Sequence, residues 1–385
     1  MTYGGKSSAD LQSVYAPEFW AQEALIVLEN NLVLANLVHR DFEQTVARSG
    51  DLINTRKPAA FTAQDFVETS GIDLQDAGAA NVAVSLNKYK DVSFALPSKA
   101  GSMSVRSLVE EFIVPAMSAH AQAIDADLAA LYKDVYYYHG TAGTTPDGVD
   151  DIVGARKIMN TNKVPLERRR LVMDEEAEYK FLQLAAFYEA DKVGDQGTAL
   201  REASLGRKFG LDMYMDQNIQ DHTVGTWVDD SGSILVNSGS CAVGDTSCPV
   251  DAITTGKTIK AGDMFTVAND DQPYVITQDA TAASSAATLN FSPGAKTVWA
   301  EDAAVTVIAG HTANLAFHRN AFALVTRPLA PPLGGNVRST VMSYNGVGLR
   351  VSIGYDLQYK QDVVSIDLLY GVKTLDPELA VRLLG

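Results

Sequence analysis

Few of the side chains that commonly carry catalysis or bind metal ions occur in this sequence. Among 385 residues there are only two cysteines and six histidines. No pair of histidines has the HxxxH or HExxH spacing that places two metal ligands on one face of a helix. The GxSxG motif and the GxxxxGK[ST] phosphate loop are also absent. The sequence therefore indicates no catalytic residue, no cofactor site and no metal site, and we predict a protein that is not an enzyme and needs no cofactor.

The two cysteines, Cys241 and Cys248, lie in the segment CAVGDTSC. Two free thiols are the favoured prediction, because disulfides are rare in a reducing cytoplasm. A disulfide that closes this short loop is the alternative. A metal site is less favoured than either, since no histidine lies between the two thiols or close beside them.

Positive charge and long apolar runs are scarce as well. The chain has 31 Lys and Arg against 47 Asp and Glu, which gives a formal net charge of −16. This balance argues against a nucleic-acid binder with a generally basic surface and favours solubility at high concentration. The longest apolar stretch, residues 24–38, is interrupted by Glu29, Asn30 and Asn31, so no membrane span is predicted. Residues 1–10 show no secretory signal, and we expect a soluble chain made in a cytoplasm.

The longest helical pattern covers residues 104–139, where apolar side chains recur at helical spacing. A continuous helix of this length would measure about 50 Å. Pro115 is expected to bend or break its first third, and Gly140 follows at a position where helices often end. We predict a long helix, called the strut below, with the other elements attached at its two ends.

A second helix is predicted for residues 17–42, beginning at Pro17. Its apolar side chains lie on more than one face, so the helix needs cover on several sides. Burial within its own domain and burial by a neighbouring subunit are equally supported by the sequence.

Residues 51–100 read as a long two-stranded excursion between helices. A strand begins at residues 52–56, and alternating patterns follow at residues 82–86 and 92–96. An isolated hairpin is marginally stable and has two open edges. We expect this arm to lie on another copy of the protein, and folding back onto its own sheet is the alternative.

An α+β pattern follows the strut and is interrupted by a segment of different composition. Residues 223–312 are rich in small and polar residues and contain short strand candidates separated by turn signals. We predict a small all-β module, a sandwich or a barrel, inserted into the α+β domain. That domain resumes at residues 314–328, and further strands are predicted at 347–355 and 363–369.

Two charged clusters are candidate sites. Asp125 and Asp127 are two residues apart on a helix and therefore do not share a face, which favours a solvated surface over a paired-carboxylate site. Arg168, Arg169 and Arg170 could contact phosphates. Given the acidic net charge, inter-subunit salt bridges with Asp or Glu are favoured.

Five stretches, taken in this order, resemble the major capsid protein of short-tailed bacteriophages whose shell subunit carries an inserted β-domain. They are VHRDFEQTVARSGDLINTRKP (38–58), RRLVMDEEAEYKFLQL (169–184), IKAGDMFTVA (259–268), NLAFHRNAFALVTRPL (314–329) and LRVSIGYDLQYKQDVVSIDLLYGVKTLDPELAVRL (349–383).

The resemblance implies an α+β protein with the tailed-phage capsid fold and an inserted all-β module. It divides the chain into an N-terminal arm with a helix (1–50), an extended β loop (51–100), the spine helix of a peripheral domain (101–145), an axial α+β domain (146–222 and 313–345), an inserted β-barrel-like domain (223–312), and C-terminal strands that complete the peripheral and axial core (346–385).

The resemblance also implies a structural function. Copies are expected to form hexameric and pentameric capsomers of an icosahedral shell that encloses the phage genome. Scaffolding and portal proteins are expected partners, with packaged double-stranded DNA held non-specifically on the inner face and no membrane partner. The virion is the expected location, after assembly in the cytoplasm of a bacterial host. An encapsulin-like compartment and a soluble enzyme with an unrecognised site are the alternatives.

Candidate residues for contacts between copies are charged side chains of the excursion and of the arginine triplet. Some capsids of this family crosslink a lysine of the extended loop to a neighbour, but no residue pattern here identifies a crosslink, and we predict none. The candidates are Arg56, Lys57, Asp65, Lys88, Lys90, Arg168, Arg169 and Arg170.

Overall fold

The computed structural model describes residues 17–40, 52–56, 81–97, 112–189, 203, 205–237, 241–332, 337–344, 347–359 and 361–385. Two compact units make up the chain. Unit 1 consists of Met1–Asn31, Arg40–His120 and Ala323–Leu375, and unit 2 consists of Leu32–His39, Ala121–Phe322 and Asp376–Gly385. The six-part division derived from the resemblance stays a prediction.

Helices and strands alternate along the chain, and strands dominate its second half. The described α-helices are α1 (Pro17–Asn31), α2 (Leu34–Leu37), α3 (Val114–Ala129), α4 (Val149–Thr161), α5 (Glu175–Leu182) and α6 (Ala185–Tyr188). Short 3₁₀-helices occupy Ala130–Asp134, Thr226–Asp230, Arg319–Ala321 and Pro377–Leu379. The described strands are β1 (Leu52–Arg56), β2 (Asn81–Ser85), β3 (Lys88–Pro97), β4 (Tyr138–His139), β5 (Arg169–Met173), β6 (Arg207–Lys208), β7 (Leu211–Met215), β8 (Asp221–His222), β9 (Ile234–Val236), β10 (Ser247–Asp251), β11 (Thr258–Ile259), β12 (Met264–Val267), β13 (Tyr274–Ile276), β14 (Ala280–Thr281), β15 (Ala286–Ser292), β16 (Ala304–Val307), β17 (His311–His318), β18 (Phe322–Thr326), β19 (Val337–Tyr344), β20 (Val347–Asp356), β21 (Gln361–Thr374) and β22 (Ala380–Leu384).

Unit 1 is built on a five-stranded sheet with the order β18-β21-β20-β19, in which β3 also pairs with β21. Helix α1 packs against β19 and β20, and Trp20, Ala24 and Leu28 of this helix are buried. Of the two sources of cover left open by the sequence, burial within the chain's own unit is therefore the one observed for α1.

The excursion contains a two-stranded antiparallel ladder, formed by β1 and β2, and a third strand that joins the five-stranded sheet of unit 1. Strand β3 runs antiparallel to β21 over ten residue pairs, from Lys88↔Tyr370 to Pro97↔Gln361, while β2 pairs with β1. The inward side chains explain this choice, since Phe94 stacks on Phe112 with ring centroids 5.4 Å apart. For residues 88–97 the alternative, folding back onto the chain's own sheet, is the one observed; contact of the excursion with another copy stays a prediction, and residues 57–80 lie outside the described part.

Polar side chains on the opposite face also tie β3 to its own sheet. Ser365 donates a hydrogen bond from Oγ to Asp91 at 2.7 Å, and Arg350 Nη2 donates to Tyr89 Oη at 3.5 Å. Both sides of β3 are therefore fixed by residues of unit 1.

The predicted strut ends earlier than expected at its C-terminal side, and its residues 104–111 lie outside the described part. Helix α3 follows a π-helical turn at Phe112 and Ile113, next to Pro115. After the 3₁₀-helix Ala130–Asp134 the chain becomes extended at Val135, and Tyr138 and His139 pair in parallel with β22. The sequence YYYHG was therefore wrongly predicted as helix, because strand pairing outweighs its helical spacing.

Unit 2 contains a seven-stranded sheet with the order β4-β22-β17-β5-β7-β6, and β8 pairs with β17. Helices α4 and α5 supply Ile152, Met159 and Phe181 to a core shared with Leu171 and Leu383 of the sheet. Helix α4 carries the acidic residues Asp150 and Asp151 in its first turn.

The segment inserted between β8 and β17 closes into a six-stranded barrel with the order β10-β15-β13-β12-β16-β9. Aromatic rings fill its centre: the Phe265 ring lies 6.1 Å from Trp227, 5.6 Å from Tyr274 and 6.2 Å from Trp299, measured between centroids. The predicted all-β module is confirmed as a barrel. The segment also contains the 3₁₀-helix Thr226–Asp230, which was not expected in an all-β module.

Candidate interaction residues and a buried polar network

The lysines proposed for contacts between copies lie on the edge of the unit 1 sheet. Lys88 and Lys90 belong to β3 and are half-buried. Arg56 is the last residue of β1, and its side chain lies outside the described part, as do Lys57 and Asp65. Contacts of these residues with another copy stay predictions.

The arginine triplet is divided among three environments. Arg168 is exposed, with a left-handed backbone at φ 54°. The Arg169 side chain is buried and donates to Pro165 O at 2.9 Å, to Asn160 Oδ1 at 2.7 Å and to Val164 O at 2.6 Å. Its guanidinium group thus fixes the turn between α4 and β5 within its own chain and is closed to a neighbour.

Arg170 is half-buried and donates a hydrogen bond to the carbonyl oxygen of Leu37 in α2. This contact helps to hold residues 32–39 in unit 2, together with the hydrogen bond of 3.1 Å from His39 N to Phe322 O. Arg168 is consequently the member of the triplet best placed to reach another molecule.

A second basic element lies beside the triplet. His318 pairs with Arg169 across β17 and β5. Burial lowers the pKa of His318, and the positive charges of the triplet and of Arg319 lower it further. Several guanidinium groups therefore gather at this end of the sheet, although the chain as a whole is acidic.

A buried chain of hydrogen bonds links the barrel to the rest of unit 2. Tyr132 Oη lies 2.9 Å from His222 Nδ1, and His222 Nε2 lies 2.8 Å from Asp263 Oδ1. The second carboxylate oxygen of Asp263 accepts from Trp227 Nε1 at 2.6 Å and from the backbone of Gly225 at 3.1 Å. One carboxylate thereby connects the 3₁₀-helix Ala130–Asp134, β8 and the barrel.

Arg382 of β22 completes this network. Its side chain is fully buried, donates to the carbonyl oxygen of Gly262 at 3.1 Å and lies 5.0 Å from the centre of the Tyr132 ring. Gly262 has φ 99°, a conformation that glycine adopts without strain. Burial lowers the pKa of Arg382 to about 9, although the negative charge of Asp263 acts in the opposite direction.

An aspartate hydrogen-bonded to a histidine is an arrangement that can activate a nucleophile. Here Tyr132, His222 and Asp263 are all buried, with exposed fractions of 3%, 4% and 0%. A substrate cannot reach the pair, so its hydrogen bonds serve to attach the barrel. No sequence motif singled these residues out, because they lie far apart along the chain.

A second aspartate that accepts several side-chain hydrogen bonds stabilises the barrel interior. Asp270 accepts hydrogen bonds from Tyr274 Oη at 2.7 Å, Trp299 Nε1 at 3.0 Å and Thr297 Oγ1 at 2.9 Å. Burial acts to raise the pKa of Asp270, but these bonds outweigh it and the pKa lies below its ordinary value.

Asp125 is buried, so the predicted solvated position is wrong. Its two carboxylate oxygens accept from the backbone N–H of Val33 at 2.8 Å and of Ala35 at 3.0 Å, at the start of α2. Burial raises the pKa of Asp125 to about 7, and the nearby charge of Asp216 adds to the rise. The carboxyl group anchors an N-terminal segment about 90 residues away in sequence.

Both cysteines are free and buried inside the barrel, as the favoured prediction stated. Burial raises the pKa of both thiols, that of Cys248 to about 12. Within the described residues, no three His, Cys, Asp or Glu side chains come together closely enough to hold a metal ion. The helices of the described part include none that is long and apolar enough to span a membrane.

No family model matches the chain, and no curated protein matches its sequence. A solved structure from Mycobacterium phage Che8 is similar to 91% of this chain over 90% of its own, with a TM-score of 0.51 and 16% identity. The chain has the tailed-phage capsid fold. Two further structures are more distant: the capsid of cyanophage P-SCSP1u (TM-score 0.45, 12% identity, 87% of this chain and 83% of that chain) and the mature capsid of bacteriophage PhiM1 (0.44, 9%, 88% and 82%).

The capsid fold confirms the fold class expected from the resemblance, including the mixture of helices and strands and the inserted barrel. It does not place any of the candidate contact residues against a neighbour. Those contacts are argued below from charge and topology.

Proposed function

We propose that this chain is a major capsid protein whose copies assemble into an icosahedral shell around a phage genome. The observation that carries the proposal is the fold, which is shared with the Che8 phage structure along 91% of the chain. Hexameric and pentameric capsomers are the expected intermediates of such a shell.

The location of the polar clusters supports a structural role. The Tyr132–His222–Asp263 network and the Asp270 cluster are enclosed by packed side chains, so their hydrogen bonds contribute stability without offering a reactive surface. Buried networks of this kind fix one arrangement of the elements that they join. A shell subunit needs a fixed shape, because small errors at each contact accumulate around a closed particle.

The partners follow from the same proposal. A scaffolding protein would guide assembly, a portal protein would occupy one vertex, and double-stranded DNA would lie against the inner face without sequence-specific contacts. The finished protein would reside in the virion after assembly in the host cytoplasm. In this arrangement residues 1–50 serve as the arm, 51–100 as the extended loop, and 146–222 with 313–345 as the axial domain.

The test is to express the full chain, purify it, and examine it by sedimentation velocity and negative-stain electron microscopy. Closed particles of uniform diameter are the expected result. Protein that remains monomeric over a concentration range of about 1–100 μM, a span in which specific interfaces commonly associate, would overturn the proposal.

Neighbouring genes separate a phage shell from an encapsulin-like compartment. Portal and terminase genes beside the coding gene are expected for a phage capsid protein. A peroxidase or ferritin-like gene in that position would instead indicate a compartment that carries an enzyme.

A further inference from the structure

We propose that a cleft beside strand β4 receives the arginine cluster near strand β6 of a second copy of this chain, so that copies join head to tail. This inference rests on the proposed shell function and specifies which surfaces of unit 2 meet. It follows from the shape and charge of the cleft, the charge of the opposite edge, and the strand order between them.

The cleft has a volume of about 620 Å³ and lies between α4, β4 and the barrel strand β12. Tyr138 and His139 of β4 form one wall. His139 lies directly on α4 at Gly154, where a Cβ atom would come within 2.0 Å of the imidazole ring. The absence of a side chain at Gly154 therefore lets β4 approach the helix and shape this wall.

Two carboxylates give the cleft its charge. Asp151 lies in the first turn of α4, where its Oδ2 atom accepts from the backbone N–H groups of Asp147 and Gly148, both at 3.1 Å. Asp271 lies on the barrel side and is exposed. No lysine or arginine is among the described residues that line the cleft, so it is suited to a cationic side chain, and the two tyrosines at positions 137 and 138 offer aromatic rings to a guanidinium group.

The opposite side of the same sheet carries the matching charge. Arg207 belongs to the edge strand β6, and its side chain is 61% exposed. Arg168 is exposed just before β5, and Arg319 follows β17 at the same end of the sheet. Acidic residues on this side are Glu167 and Asp212, of which Asp212 lies 3.6 Å from Arg207.

The strand order β4-β22-β17-β5-β7-β6 places the cleft at the β4 edge of the sheet and Arg207 at the β6 edge, with Arg168 between them, just before the start of β5. A contact between opposite edges uses a different surface on each partner, which is a heterologous interface. Heterologous contacts close into rings when the rotation between copies permits, whereas a self-complementary patch would stop at a dimer. The two complementary edges are therefore what a five- or six-membered capsomer requires.

Isolated surface ion pairs contribute little energy, about 0–1 kcal/mol each. Charge complementarity instead selects the correct partner surface and speeds encounter. The inference accordingly predicts an effect on assembly specificity and salt dependence, with the fold of the subunit unchanged.

A charge-reversal cycle tests the pairing. One variant carries Arg168→Glu and Arg207→Glu, a second carries Asp271→Lys, and a third combines all three changes. Asp151 is left intact because it caps α4. Each of the first two variants should lower the fraction of protein in particles at least tenfold, and the combined variant should recover to within about threefold of wild type. Asp302→Lys, an exposed barrel position outside the cleft, is the matched control and should assemble normally.

A covalent test does not depend on particle yield. The variant with Arg168→Cys and Asp271→Cys should form disulfide-linked chains of two or more copies under mild oxidation, whereas neither single variant should form chains longer than a dimer. The two native thiols do not interfere, because both are buried.

The outcomes separate the two proposals. If wild type forms particles and the charge-reversed variants also assemble normally, the head-to-tail contact is overturned and the shell function stands. The same conclusion follows if wild type forms particles but the double-cysteine variant gives no disulfide-linked chains. A wild-type chain that stays monomeric would overturn the shell function and this contact together. A combined variant no better than the worse single variant would show that these edges do not meet each other.

Discussion

His222 and Asp263 are hydrogen-bonded at 2.8 Å between Nε2 and Oδ1, in the interior of unit 2 and 41 residues apart in sequence. A carboxylate only accepts, so His222 Nε2 carries the proton of this bond. In the neutral imidazole, Nδ1 then accepts the hydrogen bond from Tyr132 Oη. The pair attaches the barrel to the sheet and to the 3₁₀-helix Ala130–Asp134.

The first prediction concerns the attachment itself. Asp263→Asn should lower the free energy of unfolding by about 2–3 kcal/mol, because an amide cannot replace both oxygens of a buried carboxylate that accepts several bonds. Thermal unfolding followed by tryptophan fluorescence measures the effect, since Trp227 is one of the donors. Asp302→Asn, at an exposed barrel position, should change the midpoint little. Equal midpoints for the two variants would contradict the role given to Asp263.

The second prediction concerns removal of the barrel. Deleting residues 225–310 should leave a chain that folds, because His222 pairs with His311 and the two cut ends lie side by side. Yield or assembly fidelity should fall, because Arg382 loses the Gly262 carbonyl and His222 loses Asp263.

A second form of this deletion separates the buried charge from other causes. Adding Arg382→Met to the deleted chain removes the cation that has lost its partner, and the soluble yield should partly recover. Unchanged folding and unchanged particles in the simple deletion would show that the barrel is dispensable.

The third prediction is a pH dependence arising from Asp125. Its pKa is about 7 in the folded chain and about 3.9 when unfolded, so the folded state binds more protons between these values. Stability contributed by the protonated group is therefore present at low pH and lost as pH rises through about 7. As pH rises from about 4 to 8, the unfolding free energy of wild type should therefore fall, relative to that of Asp125→Asn, by on the order of 4 kcal/mol.

Comparing wild type with Asp125→Asn removes the contributions of other groups. His311, whose pKa is lowered to about 4 by burial, acts in the opposite direction and gains stability as pH rises from about 4 to 6.5. Both effects are present in wild type, but the His311 contribution cancels in the difference. A difference that stays constant from pH 4 to 8 would contradict the raised pKa of Asp125.

The fourth prediction is that copies in the shell are not covalently joined. Boiled and reduced particles should give one band at the subunit mass of 41.3 kDa on a denaturing gel. The reason is that Lys88 and Lys90 lie in β3, which is paired with β21 of its own chain along its length. A ladder of higher bands would refute this prediction.

The fifth prediction concerns DNA. Empty shells should bind double-stranded DNA weakly at physiological salt, because a net charge of −16 per chain opposes the phosphate backbone. Filter binding at about 50 mM and 150 mM salt tests this, with a basic DNA-binding protein as the positive control. Tight binding at the higher salt concentration would contradict the expected weak contact between the shell and DNA.

The local elements were largely predictable, because their signals are local. The alternation in residues 347–355 and 363–369 lies within β20 and β21, and the acidic cap before α5 is formed by Asp174 accepting from Ala177 N at 3.3 Å. Strand β10 was missed, since Cys248 and Pro249 give no strand signal. Its pairing with β15 places Pro249 among exposed positions, where the ring is tolerated.

The buried polar residues were not predictable, because each depends on distant parts of the chain. Helical spacing correctly separated Asp125 from Asp127, but the face that is covered depends on Val33 and Ala35. Asp263 lies in the turn KAGDMF, whose sequence predicts exposure to solvent. In the structure, His222 of β8 and Arg382 of β22 hydrogen-bond to this turn, and Asp263 is buried. The pairing of β3 was not predictable for the same reason, since its partner β21 lies about 270 residues further along the chain.

The chain enters and leaves the barrel through the paired strands β8 and β17, which join at only two residue pairs, His222↔His311 and Asp221↔Thr312. An insertion attached through two adjacent strands can change in length or be replaced without altering the register of any other strand. The barrel is therefore a part of the chain that can vary independently of the sheet into which it is inserted.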